Sequence, residues 1–255
     1  MLPTEKSTPK ESLMDYTILI HGMPKIGKST LASQAGNVLF ADTEGGLSAL
    51  ESYNVGITEW NGNSPTGFLS LCKELTTTEH KFDALCIDTV DMLQKLCQEY
   101  VMAKHSISHP SDLEWGKGWA FVKDEFMRPL AKLAVSPYGL ILISHSKEVE
   151  VTTRVAKITK AVPTLGGYIW NAVEAFVDII LYFHAEVTGD GERRFLRTKP
   201  SENWIAGDRT NKLLDVDPIE IEPDVDNWDK LTKAFSGIKP KTKKKGVLIG
   251  ATEGE

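Results

Sequence analysis

An apolar run at residues 16–22 (YTILIHG) passes straight into Gly22-Met-Pro-Lys-Ile-Gly27-Lys28-Ser29, a G-x-x-x-x-G-K-S spacing. No other feature of the chain limits its fold so strongly. A buried strand ends at the first glycine and a helix opens near Lys28, so the loop between them belongs at the edge of a sheet. Its glycines let successive backbone N–H groups curl around a phosphate, and the helix turns its positive end toward the same anion. Lys28 is expected to reach the β- and γ-phosphate oxygens, and the Ser29 hydroxyl to ligate Mg²⁺. The expected nucleotide contacts are Gly22, Met23, Pro24, Lys25, Ile26, Gly27, Lys28, Ser29 and Thr30, with ATP and Mg²⁺ as the bound species.

Around this loop the chain alternates. Residues 37–42 (NVLFAD), 82–88 (FDALCID) and 138–144 (YGLILIS) are further apolar runs, with a short one at 56–60. Helical patterns fall at 66–78, 89–104, 119–135 and 167–174. Strands that are apolar along their whole length belong to a sheet covered on both faces. The sequence therefore predicts an α/β fold, a mostly parallel sheet with helices on both sides. A turn at 188–192 (TGDGE) joins 175–183 to 193–200 and adds antiparallel strands at one edge. Residues 106–118 (SISHPSDLEWGKG) read as an inserted loop. One domain is expected over 13–235, after a flexible leader at 1–12 and before a flexible tail at 236–255. That tail is basic at 239–245 (KPKTKKK) and then acidic.

Composition narrows the class of partner. A chain of 255 residues with 41% hydrophobic and 25% charged residues is that of an ordinary globular domain. A net charge of -6 excludes a polycation that coats nucleic acid in bulk, and leaves a local basic segment as the means of contact. Cys72, Cys86 and Cys97 form no C-x-x-C pair and are expected to be reduced. No apolar run approaches the ~18 residues of a membrane span, and a cytoplasmic location with no membrane partner is expected.

Three strand ends carry the chemistry. Asp88 closes FDALCID, the position of a Walker B carboxylate that holds Mg²⁺ at the ligand-binding edge of an α/β sheet. Thr89 follows it where many ATPases place a catalytic Glu. The expected base is instead Glu44, in FADTEGGL, set to orient and deprotonate a water for in-line attack on the γ-phosphate. His145 ends YGLILIS and is expected to touch the γ-phosphate and report hydrolysis to the adjoining segment. That segment is basic, with Lys147, Arg154, Lys157 and Lys160 against Glu148 and Glu150. Four phosphate contacts to a single strand imply a log–log salt slope of roughly −2.8. Tyr168 and Trp170 offer stacking faces, and Trp115, Lys117 and Trp119 a second strand-contacting surface.

Together the P-loop, the DTEG element, the IDT Walker B and the polar strand end before a basic segment resemble the RecA-type core. Bacterial RecA, the eukaryotic strand-exchange recombinases and KaiC-like ATPases share that order. ISHSKE, LGGYIWNAVEAFVDIILYF and RTKPSENWIAGDR make the chain look most like the phage RecA-like single-strand annealing proteins, the Sak-four group. The likeness spans about residues 16–209. It implies Lys28 and Ser29 on phosphate and Mg²⁺, Asp88 on the metal, Glu44 as base and His145 as γ-phosphate sensor, where RecA-type proteins usually carry Gln. It also implies that 146–167, a loop ending in Gly-Gly before a helix, contacts single-stranded DNA. Arg197 and Lys199 would then reach a neighbour's γ-phosphate, with Arg209 nearby.

The function this predicts is a Mg-dependent, DNA-stimulated ATPase that binds single-stranded DNA and promotes annealing or strand pairing. It would work as a homo-oligomeric ring or filament, with a single-strand-binding protein as a further partner. A replication or packaging motor, a helicase or its loader, would use the same site. A small-molecule P-loop kinase fits less well, because 106–118 holds no Arg for a lid.

Overall fold

The computed structural model describes residues 2, 4–153, 156–189 and 191–238. In chain order the elements are β1 (Thr17–Gly22), α1 (Lys28–Ser33), β2 (Val38–Asp42), β3 (Tyr53–Gly56), α2 (Phe68–Thr77), β4 (Ala84–Asp88) and α3 (Val90–His105). They continue with α4 (Lys117–Ala134), β5 (Gly139–Thr152), β6 (Lys157–Pro163), α5 (Gly167–Phe176), β7 (Ile179–Thr188), β8 (Gly191–Arg197), β9 (Gly207–Asp208), β10 (Ile219–Ile221) and α6 (Asn227–Phe235).

The sheet runs β10-β8-β7-β1-β5-β4-β2-β3. From β7 to β3 every pair is parallel, and β8, β9 and β10 add antiparallel pairs beyond β7. This is the mostly parallel α/β sheet with antiparallel edge strands expected from the sequence. The strands are apolar throughout because both faces are covered. Leu19, Leu39, Leu85, Ile87, Leu140 and Leu142 pack with Phe68, Val122, Phe126 and Leu130 of α2 and α4. The alternate residues Ile18, Ile20, Phe40, Cys86, Ile141 and Ile143 pack with Leu31 of α1 and Trp228, Leu231 and Phe235 of α6.

Register sets the functional edge. Gly22 lies opposite His145, and Asp42 opposite Asp88, so the ends of β1, β2 and β4 and the middle of β5 meet at one rim. Helix α3 starts there because Thr89 caps it, its hydroxyl accepting the Met92 N–H.

Three expectations are corrected. The third strand is Tyr53–Gly56, not 56–60, because the apolar groups of ITEW fill the core under a turn: Ile57 and Trp60 are buried, and Trp60 packs on Phe68 and Phe126. Helix α4 begins at Lys117, inside the expected insertion, and continues through a buried Pro129. The third correction concerns 146–167. Strand β5 does not stop at the rim but runs on to Thr152, and β6 returns antiparallel to it, so the expected loop is a two-stranded hairpin. The tail at 239–255 lies outside the described residues.

Candidate functional site

The P-loop is shaped by the positions of its glycines. A Cβ at Gly22 would lie 2.3 Å from the Phe183 carbonyl oxygen, and Gly27 takes a φ of 111°, a left-handed conformation that favours glycine. Lys28 follows, buried, and its Nζ donates to the Gly22 and Met23 carbonyls at 2.9 Å each. Burial pushes the Lys28 ammonium below its usual range, while Asp88, Asp91 and Glu44 pull it back. The Ser29 hydroxyl donates to Asp88 Oδ2 at 2.5 Å. Burial raises the Asp88 carboxyl, opposed by the Ser29 hydrogen bond and by Lys28.

Two loops are laced together across this rim. The Asp42 carboxylate accepts the Glu44 and Gly45 N–H groups at 3.0 and 2.7 Å. Thr43 and Thr89 bond reciprocally: the Thr43 hydroxyl donates to the Thr89 carbonyl at 3.0 Å and accepts the Thr89 N–H at 2.8 Å. Glu44 is thereby delivered to the cleft, where Oε1 accepts the Thr89 hydroxyl at 2.7 Å and Oε2 lies 3.2 Å from His145 Nε2. The expected base and the expected sensor thus touch. With Nε2–H donating to the carboxylate, His145 Nδ1 is left as an acceptor. It is buried and has no hydrogen-bond partner among the described residues.

These groups line a cleft of about 430 Å³ that also takes in Pro24, Lys25 and Leu47. Hard oxygen donors at Ser29 and Asp88 suit Mg²⁺, which typically takes one or two protein oxygens together with substrate phosphates and water. No group of three or more His, Cys, Asp or Glu among the described residues makes a metal cage of its own. A second cleft of about 420 Å³ lies on the far side of Gly27 and Thr30, walled by Arg194 and by 220–225. Arg194 Nη1 donates to the Ile26 carbonyl at 3.2 Å, which ties β8 to the P-loop.

Other predicted residues lie elsewhere. Lys147 and Lys160 share one face of the hairpin with Val149, Val151, Ile158 and Val162, since cross-strand partners point to the same side. Glu148, Glu150 and Lys157 occupy the opposite face, with Lys157 3.9 Å from Glu150. Arg154 lies outside the described residues. Arg197 turns inward: it bonds Glu186 at 2.6 Å and His184 at 3.0 Å, lies 3.6 Å from Asp217, and rests over the Trp204 ring. It ties β7 to β8 in place of the free strand-end cation the sequence suggested, while Lys199 is exposed. Arg209 bonds Asp178 and the Ala175 carbonyl. The Trp119 and Tyr168 rings meet at a tilt with centroids 4.4 Å apart, Trp170 packs partly buried on the core, and Trp115 is 91% exposed. The sequence reading missed Thr43, Asp91 and Arg194. An acid one turn into the helix after the Walker B strand is the one signal that pointed to any of them.

A glycine-rich phosphate loop with its lysine and serine, an opposed Asp88 and a strand-end Glu44 define a P-loop nucleotide-hydrolysing protein. Residues 14–210 match the AAA domain family AAA_24, and the chain belongs to that family. No curated protein matches the sequence. Among solved structures, the flagellar accessory protein FlaH from Methanocaldococcus jannaschii is similar at 11% identity and a TM-score of 0.37, over 72% of this chain and 77% of that one. No helix among the described residues is long and apolar enough to cross a membrane.

Proposed function

We propose that this chain is a Mg-dependent, DNA-stimulated ATPase of the phage RecA-like annealing type, which binds single-stranded DNA as a homo-oligomer. One observation carries the reading: β5 bears His145 on Glu44 at the nucleotide cleft and continues unbroken into a hairpin bearing Lys147 and Lys160. In this reading the γ-phosphate end of a nucleotide and a surface suited to a polyanion are two stretches of one strand.

In this reading the triphosphate lies along the P-loop, with Lys28 exchanging the Gly22 and Met23 carbonyls for phosphate oxygens. Ser29 and Asp88 would hold Mg²⁺, which supplies charge neutralisation at the phosphates. The adjoining cleft by Arg194 has room for the nucleoside. Glu44 takes the proton of the attacking water. His145 exchanges its Glu44 contact for the γ-phosphate, and the hairpin is ordered for DNA while that contact lasts. Trp115, Lys117 and Trp119 offer a second surface for the strand. Lys199, exposed at the end of β8, is the cation available to a neighbouring subunit's nucleotide.

The test is steady-state Mg-ATP hydrolysis with and without single-stranded DNA, alongside binding anisotropy over a salt series. Stimulated turnover with salt-sensitive binding supports the proposal. Unstimulated turnover without binding rejects the DNA role, and continuous turnover coupled to duplex unwinding favours a motor.

A further inference from the structure

A nucleotide signal at His145 reaches the hairpin only if both hairpin strands move with that residue, and a buried carboxylate with no place in the phosphate chemistry holds them to it. Asp91 stands in the first turn of α3, three residues after Asp88, and is 9% exposed. Its Oδ1 accepts the Ser144 hydroxyl at 2.9 Å and the Thr164 hydroxyl at 2.7 Å. Its Oδ2 accepts the His145 backbone N–H at 2.8 Å. Ser144 and His145 lie where β5 leaves the sheet, and Thr164 directly follows β6. The Thr164 N–H also donates to the His145 carbonyl at 2.9 Å. One turn further along α3, Gln94 Oε1 accepts the Gly166 N–H at 2.9 Å.

Burying a carboxylate is costly unless donors surround it. Here three donors from three residues converge, two of them from opposite arms of the hairpin. A well-packed apolar side chain would fill the same space without that desolvation cost, but it would fix no register between β5, the start of α5 and the helix that follows the Walker B strand. The arrangement suits an element whose purpose is position.

We infer that Asp91 is a positioning residue that joins His145 and both roots of the β5–β6 hairpin into one rigid unit, so that a change at His145 Nε2 is delivered to Lys147 and Lys160. This rests on the nucleotide-gated hairpin proposed above. The carboxylate touches neither phosphate nor water in that scheme.

Hydrogen exchange of the hairpin, read by mass spectrometry with and without a non-hydrolysable ATP analogue and Mg²⁺, tests it in the full chain without DNA. In the wild type, peptides covering 146–152 and 157–163 exchange more slowly once the analogue binds. Asp91→Leu is close in size but offers no acceptor to Ser144, His145 or Thr164, and the nucleotide-dependent protection falls by roughly threefold or more in both arms. Thr164→Val removes one hydroxyl at nearly constant volume, and because the β5–β6 ladder couples the arms it lowers the response in both, by less than the Asp91 variant does. It carries the test alone if Asp91→Leu does not fold. A wild-type-sized response in both arms of either folded variant overturns the positioning role and leaves the gating intact. No response in the wild-type hairpin overturns the gating, and the positioning role with it.

Discussion

The rim of the sheet and the hairpin beyond it share strand β5, yet they are built by opposite rules. At the rim the charged groups are answered, and two of them are buried: Lys28 by two carbonyls, Asp88 by Ser29, and the more open Glu44 by Thr89 and His145. In the hairpin, Lys147, Glu148, Glu150 and Lys157 are exposed, and the ion pair between Lys157 and Glu150 is 3.9 Å long. Phosphoryl chemistry needs atoms fixed to fractions of an ångström. Holding a strand of any sequence needs cations that follow a backbone. On the proposed function, the contrast teaches how one strand could serve both ends: its first half is packed on both faces and its second half is not.

Substitutions at the two ends should therefore fail differently, beginning with the largest loss. Glu44→Gln should lower kcat by about 10²–10⁴-fold while nucleotide still binds, as seen by calorimetry beside a phosphate-release assay. An undiminished kcat would assign the base elsewhere. Lys28→Ala should cost about 10²–10³-fold in turnover and lose nucleotide affinity as well, so calorimetry separates it from Glu44→Gln.

A third prediction concerns the strand beneath the P-loop. His21 is fully buried beside Gly22, its Nδ1 2.8 Å from the Ser146 hydroxyl and its Nε2 2.6 Å from the Ile205 carbonyl. Burial pushes its pKa down to about 4 from an unfolded value of 6.5. Between those values the unfolded chain binds the extra proton, so stability is present above the window and is lost as the pH falls through it. Acidifying from pH 7 to 5 should cost about 2 kcal/mol at this site. Urea melts at the two pH values should register that loss, and His21→Gln should remove the difference. Asp88 and Asp91, whose carboxyls are raised by burial, act in the opposite sense and are common to both proteins. Equal pH profiles for the two chains would refute the assignment.

The smallest effect sharpens the comparison from the hairpin side. Replacing Lys147 and Lys160 together should reduce the salt slope of single-strand binding by roughly 1.4. Lys157→Ala, on the acidic face, should leave it nearly unchanged. A Lys157 effect equal to that of the pair would mean that the strand does not choose a face.

The rim was legible in the sequence because its signals are local. The P-loop spacing, the continuous apolar runs and the single polar residue at each strand end are each short-range patterns, and the strand order brings those ends together. The hairpin was not, although Val149 and Val151 alternate with Glu148 and Glu150. Lysines stand on the valine face, and a Thr-rich turn interrupts the period, so the segment reads as a polar loop. Thr43 with Thr89, and Asp91 with Ser144 and Thr164, meet across 46 to 73 positions of chain, beyond the reach of spacing. Arg197 misled for a related reason. An arginine near a strand end looks the same in sequence whether it is free or held by Glu186 and Asp217, which fold back onto it from either side.

The length of β5 has a mechanical consequence. From His145 to Thr152 the strand advances seven residues, roughly 23 Å at the usual rise per residue. A tilt of about 5° at the histidine would carry the far end some 2 Å at that rise, about the difference between a direct contact to a phosphate and one made through water. The strand is thus a lever arm. A displacement at the cleft too small to disturb the packed sheet is long-stroked at the tip, and the fulcrum stands at His145, the proposed γ-phosphate sensor.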